Sequence, residues 1–134
     1  MVFLIEDEED HAKVFEIGIA KSDAETKTLI FGSGGSLFKV LESPQNDQRP
    51  DLMLLDLNLP DTDGIAILER VRSVHPRECL PIVVFSSSSS QQDIASAYGA
   101  GASAYLVKPV SFEDTVKSLI LVCNYWLKNN SVVR

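Results

Sequence analysis

The stretch Asp51-Leu52-Met53-Leu54-Leu55-Asp56-Leu57-Asn58-Leu59-Pro60 decides the fold. Residues 52–55 are apolar without interruption and do not alternate with polar ones. Such a run suits a strand in a parallel sheet with both faces covered. An acid follows the run directly, and then a turn with Pro60 and Asp63-Gly64. Four more runs of the same kind lie outward from it: Val2–Ile5, Thr28–Phe31, residues 82–85 and Ala104–Val107. The segments between them are long enough for a crossover helix each. Several carry a helical period: Ala12, Phe15 and Ile19; Ile67, Val71 and Val74; and Phe112, Val116, Leu119, Ile120, Cys123 and Leu127. Ser111 fits as the N-cap of the last helix, with Asp114 as a weaker form of the capping box. Residues 93–100 predict a weaker, more mobile helix. Gly32–Gly35 and residues 44–50, 60–64 and 86–90 carry the loop punctuation. Strands alternating with helices under right-handed connections predict an α/β fold, a (βα)5 flavodoxin-like doubly wound parallel sheet. The strand order 2-1-3-4-5 is drawn by analogy with known sheets of this kind.

Composition narrows the function. Twelve Lys and Arg face nineteen Asp and Glu, a net charge of −7, and 45% of residues are hydrophobic. That is enough apolar content for a core, and the acidic balance argues against nucleic acid or an anionic membrane as a direct partner. Five acids, Glu6, Asp7, Glu8, Glu9 and Asp10, form one unbroken run. Cys79 and Cys123 lie far from each other and from any second ligand at metal spacing. They read as buried free thiols in a reducing compartment. His11 and His75 read as surface residues. No signal peptide is visible, and the apolar stretch at 119–127 is too short to span a bilayer. A cytoplasmic location is the expectation.

Ligands of such a sheet bind beyond the carboxyl ends of the strands, near the switch point between strands 1 and 3. Strand 1 ends in Glu6-Asp7, strand 3 in Asp56, strand 4 in Ser86 and strand 5 in Lys108-Pro109. Strand 2, an edge, ends without charge. Clustered carboxylates repel one another, and a hard divalent cation such as Mg²⁺ relieves that repulsion. A lysine and a hydroxyl nearby can hold phosphoryl oxygens. Asp56 is then the natural nucleophile, with Lys108 neutralising charge and Ser86 donating a hydrogen bond. Each residue also has a plainer reading: a helix N-cap, a turn aspartate, a serine in a flexible loop, a surface lysine. Their joint placement on four strand ends is what favours chemistry.

These residues resemble, over nearly the whole chain, a receiver domain of two-component response regulators. The resemblance is carried by Phe3-Leu4-Ile5-Glu6-Asp7, the 51–60 stretch with Asp63-Gly64, Ile82-Val83-Val84-Phe85-Ser86-Ser87, and Gly101-Ala102-Ser103-Ala104-Tyr105-Leu106-Val107-Lys108-Pro109. It implies Asp56 as phosphoacceptor. It implies Glu6, Asp7, Asp56 and the backbone carbonyl of Asn58 as ligands of Mg²⁺ or Mn²⁺. Ser86 and Tyr105 would be the switch pair and Lys108 the lysine of the motif. A cis Lys108-Pro109 peptide is expected. Glu6 stands where Asp is commoner and Ser86 where Thr is commoner; both keep the functional group. Asn58 and Ser88 match positions that tune phosphate lifetime in the family.

Other readings fare less well. A haloacid-dehalogenase-like phosphatase needs a second Asp where Asn58 stands. A calcium loop on Asp61 and Asp63 fails because its first and twelfth positions would be Leu59 and Arg70. A phosphorylation-independent adaptor normally lacks one of the acidic, acceptor or lysine positions.

Residues 1–134 therefore read as a single receiver domain with no output domain, since 129–134 leave no room for one: either a stand-alone receiver or one cut from a larger protein. The resemblance implies a sensor histidine kinase as partner and a downstream protein of unspecified identity. The ending Tyr125-Trp126-Leu127 resembles stand-alone receivers paired with phytochrome-type kinases. Leu121, Val122, Tyr125 and Trp126 wrap apolar surface almost around the last helix. That suggests a homodimer or partner surface there, with burial against the chain's own tail as the alternative.

Overall fold

The computed structural model describes residues 1–45 and 47–134; Asn46, within the expected 44–50 loop, lies outside the described residues. Five strands alternate with five helices. They are β1 (Val2–Ile5), α1 (Glu9–Lys21), β2 (Thr28–Phe31), α2 (Gly34–Leu41), β3 (Leu52–Asp56), α3 (Gly64–Arg72), β4 (Ile82–Ser86), α4 (Gln91–Gly99), β5 (Ala104–Val107) and α5 (Phe112–Cys123). A π-helical turn, Asn124–Asn129, extends α5. All strand pairings are parallel and the order is β2-β1-β3-β4-β5, as expected.

The sheet separates two apolar layers. Phe3, Ile5, Met53, Leu55, Ile82 and Val84 face α2, α3 and α4 through Leu37, Ile67, Val71 and Ala97. Val2, Leu4, Leu52, Leu54, Val83 and Phe85 face α1 and α5 through Phe15, Ile19, Leu119 and Cys123. Every residue of β1, β3 and β4 is buried, whereas the edge strands β2 and β5 are partly exposed. Uninterrupted apolar runs are therefore needed only in the three central strands.

Helix starts are fixed locally. The side chains of Ser33, Asp63, Ser90 and Ser111 accept from the backbone N–H of Ser36, Ile65, Asp93 and Asp114. Each satisfies an amide that a helix start leaves open. Helix α1 has no side-chain cap; Glu9 and Asp10 in its first turn suit the positive end of the helix dipole.

Four expectations are corrected. Cys79 is exposed and only Cys123 is buried, because Cys79 lies in the turn before β4 rather than on a core-facing stripe. Val74 falls beyond α3, which ends at Arg72, and its side chain is exposed. There the Arg72 guanidinium donates to the carbonyls of Leu80, Gly101 and His75 and ties the turns together. Phe112, the first residue of α5, is exposed. The Lys108–Pro109 peptide is not cis. A proline bond favours trans by only about 0.5–1 kcal/mol, so surroundings decide the isomer. Here Lys108 reaches the strand ends without it.

The end of α5 is partly accounted for within the chain. Val122 is buried, and Trp126 packs against the α1–α5 layer. Leu121 and Tyr125 remain exposed, at 71% and 51%.

Candidate phosphoryl-transfer site

Parallel register brings the ends of β1, β3, β4 and β5 to one edge. Ile5 pairs with Leu55, Asp56 with Phe85, and Ser86 with Val107. The next residues along, Glu6 and Lys108, therefore emerge beside Asp56. Glu6, Asp56 and Ser86 are all buried, with Glu6 3% exposed and Asp56 8%. Asp7 is exposed, so the cluster opens to solvent on its side.

Lys108 binds the buried acids together. Its Nζ donates to Glu6 Oε1 at 2.8 Å and to Asp56 Oδ2 at 3.0 Å. Asp56 Oδ1 accepts from the Asn58 amide at 3.0 Å, and Glu6 Oε2 accepts from the Glu8 amide at 3.4 Å. Burial pushes the Glu6 carboxyl above its usual range. The neighbouring Asp56 adds to this, and Lys108 only partly offsets it. Burial would lower Lys108, but the hydrogen bond to Glu6 and the charge of Asp56 outweigh it and hold the ammonium above its usual value.

Glu6, Asp7 and Asp56 each offer a carboxylate oxygen, all within 4.8 Å of one another. Three carboxylates against one ammonium leave two negative charges. A hard divalent ion with oxygen ligands and retained waters fits that donor set.

The loop after Asp56 is held tightly. Asn58 forms an isolated bridge with Asp63, and the Gly64 amide donates to the Leu57 carbonyl at 3.1 Å. A Cβ on Gly64 would meet Leu57 Cα at 2.5 Å, so only glycine lets the loop close. Farther along, the Asp61 carboxylate accepts from the amides of Gly34 and Gly35, each at 3.0 Å. This joins the β3–α3 loop to the start of α2.

On the other flank, Ser86 Oγ accepts from the Ser88 amide at 3.1 Å. Ser88 Oγ donates to Asp93 Oδ2, and Tyr105 OH donates to the Ser88 carbonyl at 2.8 Å. Tyr105 is half-buried. The residues singled out in the sequence thus meet on one edge of the sheet. One neighbour was missed: His11, read as a plain surface residue, has its Nδ1 3.3 Å from both Lys108 Nζ and Glu6 Oε1. Its place one helical turn past Asp7 was the available clue.

A parallel (βα)5 sheet with acids, a hydroxyl and a lysine at one end defines a class, and comparison with known proteins agrees. The chain belongs to the response regulator receiver domain family, whose model matches residues 2–120. It is a phosphoacceptor domain of two-component signal transduction. It is 29% identical over 129 residues to the probable methanogenesis regulatory protein FilR2 of Methanothrix harundinacea, covering 95% of this chain and 83% of that one. It is 26% identical to the response regulator Rcp1 of Synechocystis, covering 96% and 89%. The Mn²⁺-bound crystal structure of Rcp1 matches with a TM-score of 0.86, at 25% identity over 99% of this chain and 98% of that one. The phosphorylated cyanobacterial phytochrome response regulator RcpA matches at 0.89, with 26% identity over 99% and 97%.

Proposed function

We propose that Asp56 is the phosphoacceptor of a phosphorylation-switched signalling domain spanning residues 1–134. The placement of Lys108 Nζ, 3.0 Å from Asp56 Oδ2 with Glu6 and Asp7 alongside, carries this reading. A carboxylate oxygen of Asp56 attacks phosphorus of a phosphohistidine. The new P–O bond forms as the P–N bond breaks, and the electron pair leaves with the imidazole. Lys108 offsets charge on the transferring group, and Ser86 donates to a phosphoryl oxygen once it is in place. Glu6, Asp7, Asp56 and the Asn58 backbone carbonyl would hold Mg²⁺ or Mn²⁺. When bound, the ion offsets the charge of the carboxylates and the phosphoryl oxygens. The chain turns over no external substrate beyond its own phosphorylation and slow dephosphorylation.

The donor is a sensor histidine kinase of the phytochrome type, a reading supported by the likeness to RcpA and Rcp1. The chain works in the cytoplasm; no helix among the described residues is long and apolar enough to cross a membrane. Neither nucleic acid nor a membrane is a direct partner. Phosphate at Asp56 draws Ser86 toward it, which frees the Ser88 carbonyl from Tyr105 and shifts the population of the β4–α4 loop. The face of β4, α4, β5 and α5 then binds a downstream protein or a second copy. Tyr98, Val107, Leu121 and Tyr125 are exposed there. Sedimentation with and without a phosphoryl mimic tests pairing: a monomer in both states at high concentration removes the dimer.

Mass spectrometry after treatment with acetyl phosphate and Mg²⁺ tests the central assignment. Wild type gains one phosphoryl group and Asp56→Asn does not. No gain in wild type, or an equal gain in the variant, overturns it.

A further inference from the structure

We propose that Asp61 is a positioning residue that sets the β3–α3 loop, and with it the Asn58 carbonyl, for the divalent ion. This rests on the ligand roles given above. Glu6, Asp7 and Asp56 are side-chain ligands at the ends of β1 and β3, and side chains can adjust by rotamer. The fourth ligand is a backbone carbonyl, which moves only when the chain moves. Mg²⁺ tolerates little departure from octahedral geometry, so whatever fixes the loop fixes that ligand.

The loop is closed at its base and held at its tip. At the base, the Asn58 amide donates to Asp56 Oδ1 at 3.0 Å, Asn58 bridges Asp63, and the Gly64 amide donates to the Leu57 carbonyl. At the tip, Asp61 Oδ1 accepts from the Gly34 amide and Oδ2 from the Gly35 amide, each at 3.0 Å. A backbone amide only donates, so each bond has one assignment. Both amides belong to the first turn of α2, which is a firm mount: Leu37, Phe38 and Leu41 are buried, and Ser33 caps its start. Two bonds to one planar group fix the orientation of the tip as well as its place. A second contact holds the same tip. A Cβ on Gly34 would meet Thr62 Oγ1 at 2.8 Å and Thr62 Cβ at 3.0 Å, so the loop rests on α2 only because no side chain stands there. Asp61 is exposed and belongs to neither the acid cluster nor the buried layers, so its replacement spares both.

The test is the affinity of the unphosphorylated full chain for Mg²⁺, measured by titration calorimetry. Asp61→Ala removes both acceptors and weakens binding by about three- to tenfold. Asp61→Asn keeps the shape and one acceptor, and falls between Asp61→Ala and wild type. Gly34→Ala changes no charge but pushes the tip from the α2 side, and it also weakens binding. The double variant Asp61→Ala with Gly34→Ala loses less than the product of the two, because both act on one loop. At saturating Mg²⁺ the rate of phosphorylation of Asp61→Ala by acetyl phosphate returns to within about twofold of wild type. Unchanged Mg²⁺ affinity in Asp61→Ala overturns the inference. So does equal weakening in Asp61→Ala and Asp61→Asn that disappears in about 0.5 M salt, the mark of a charge acting at a distance. Slowing that persists at saturating Mg²⁺ overturns it as well. If wild type neither binds Mg²⁺ nor gains a phosphoryl group, the reading of the acid cluster has failed and Asp61 falls with it. If wild type does both and Asp61→Ala matches its affinity, the inference fails alone.

Discussion

Lys108 and Asp56, fifty-two residues apart in the chain, meet at 3.0 Å on the carboxyl edge of the sheet. The same ammonium reaches Glu6 at 2.8 Å, so one cation stabilises two buried carboxylates.

Lys108→Ala removes that cation: Asp56 Oδ2 loses its partner, and Glu6 Oε1 keeps only His11 Nδ1 at 3.3 Å. In the presence of a chelator the variant loses about 1–3 kcal/mol of stability to urea. Saturating Mg²⁺ restores most of it, because a divalent ion supplies the missing charge. The same loss with and without Mg²⁺ contradicts this account.

Gly18→Ala sets two effects against each other. Alanine in a helix interior is worth about 1 kcal/mol over glycine. A Cβ at position 18, however, would meet Leu119 Cβ at 2.5 Å and the Val116 carbonyl oxygen at 3.2 Å. Overpacking typically costs about 1–3 kcal/mol. The clash wins where α1 meets α5, and the variant unfolds at lower urea. A rise in midpoint refutes the packing argument.

His75 gives a pH dependence with a definite sign. Partial burial, helped by Arg49 and Arg72, holds its imidazole below the ordinary 6.5. The unfolded chain therefore takes up this proton first as pH falls. The stability it contributes is full above about pH 6.5 and is lost as pH drops toward the lower folded value. His75→Gln flattens the pH dependence of the urea midpoint between pH 7 and pH 5. An unchanged slope removes His75 as its source.

The two thiols differ in reactivity. Cys123 is fully buried, and burial pushes its thiol up to about 11, whereas Cys79 is exposed. Ellman titration of the native protein at pH 8 counts one thiol and in denaturant counts two. Two fast thiols in the native state would show that α5 opens freely.

The sheet was legible in the sequence because β1, β3 and β4 are buried on both faces and so read as unbroken apolar runs. The rim followed, since parallel register turns strand ends into neighbours in space. Glu6, Asp7, Asp56, Ser86 and Lys108 could be grouped without coordinates for that reason. Side-chain direction could not be read in the same way. The 3.6-residue period runs smoothly through Val74, yet α3 stops at Arg72, whose guanidinium gathers carbonyls from three later turns. The periodic argument also gives no weight to a single thiol in a turn, so Cys79 was misplaced. His11 carried no motif; its meeting with Lys108 depends on two side chains that approach from different elements.

The hold of Asp61 on the amides of Gly34 and Gly35 has a consequence for how phosphate-bearing molecules meet this surface. The free amides at a helix start make an inviting berth for an anion. At α2 the berth is plugged by the protein's own carboxylate, which those amides hold below its usual range. The loop that shapes the acid cluster therefore also closes that berth to anions from outside.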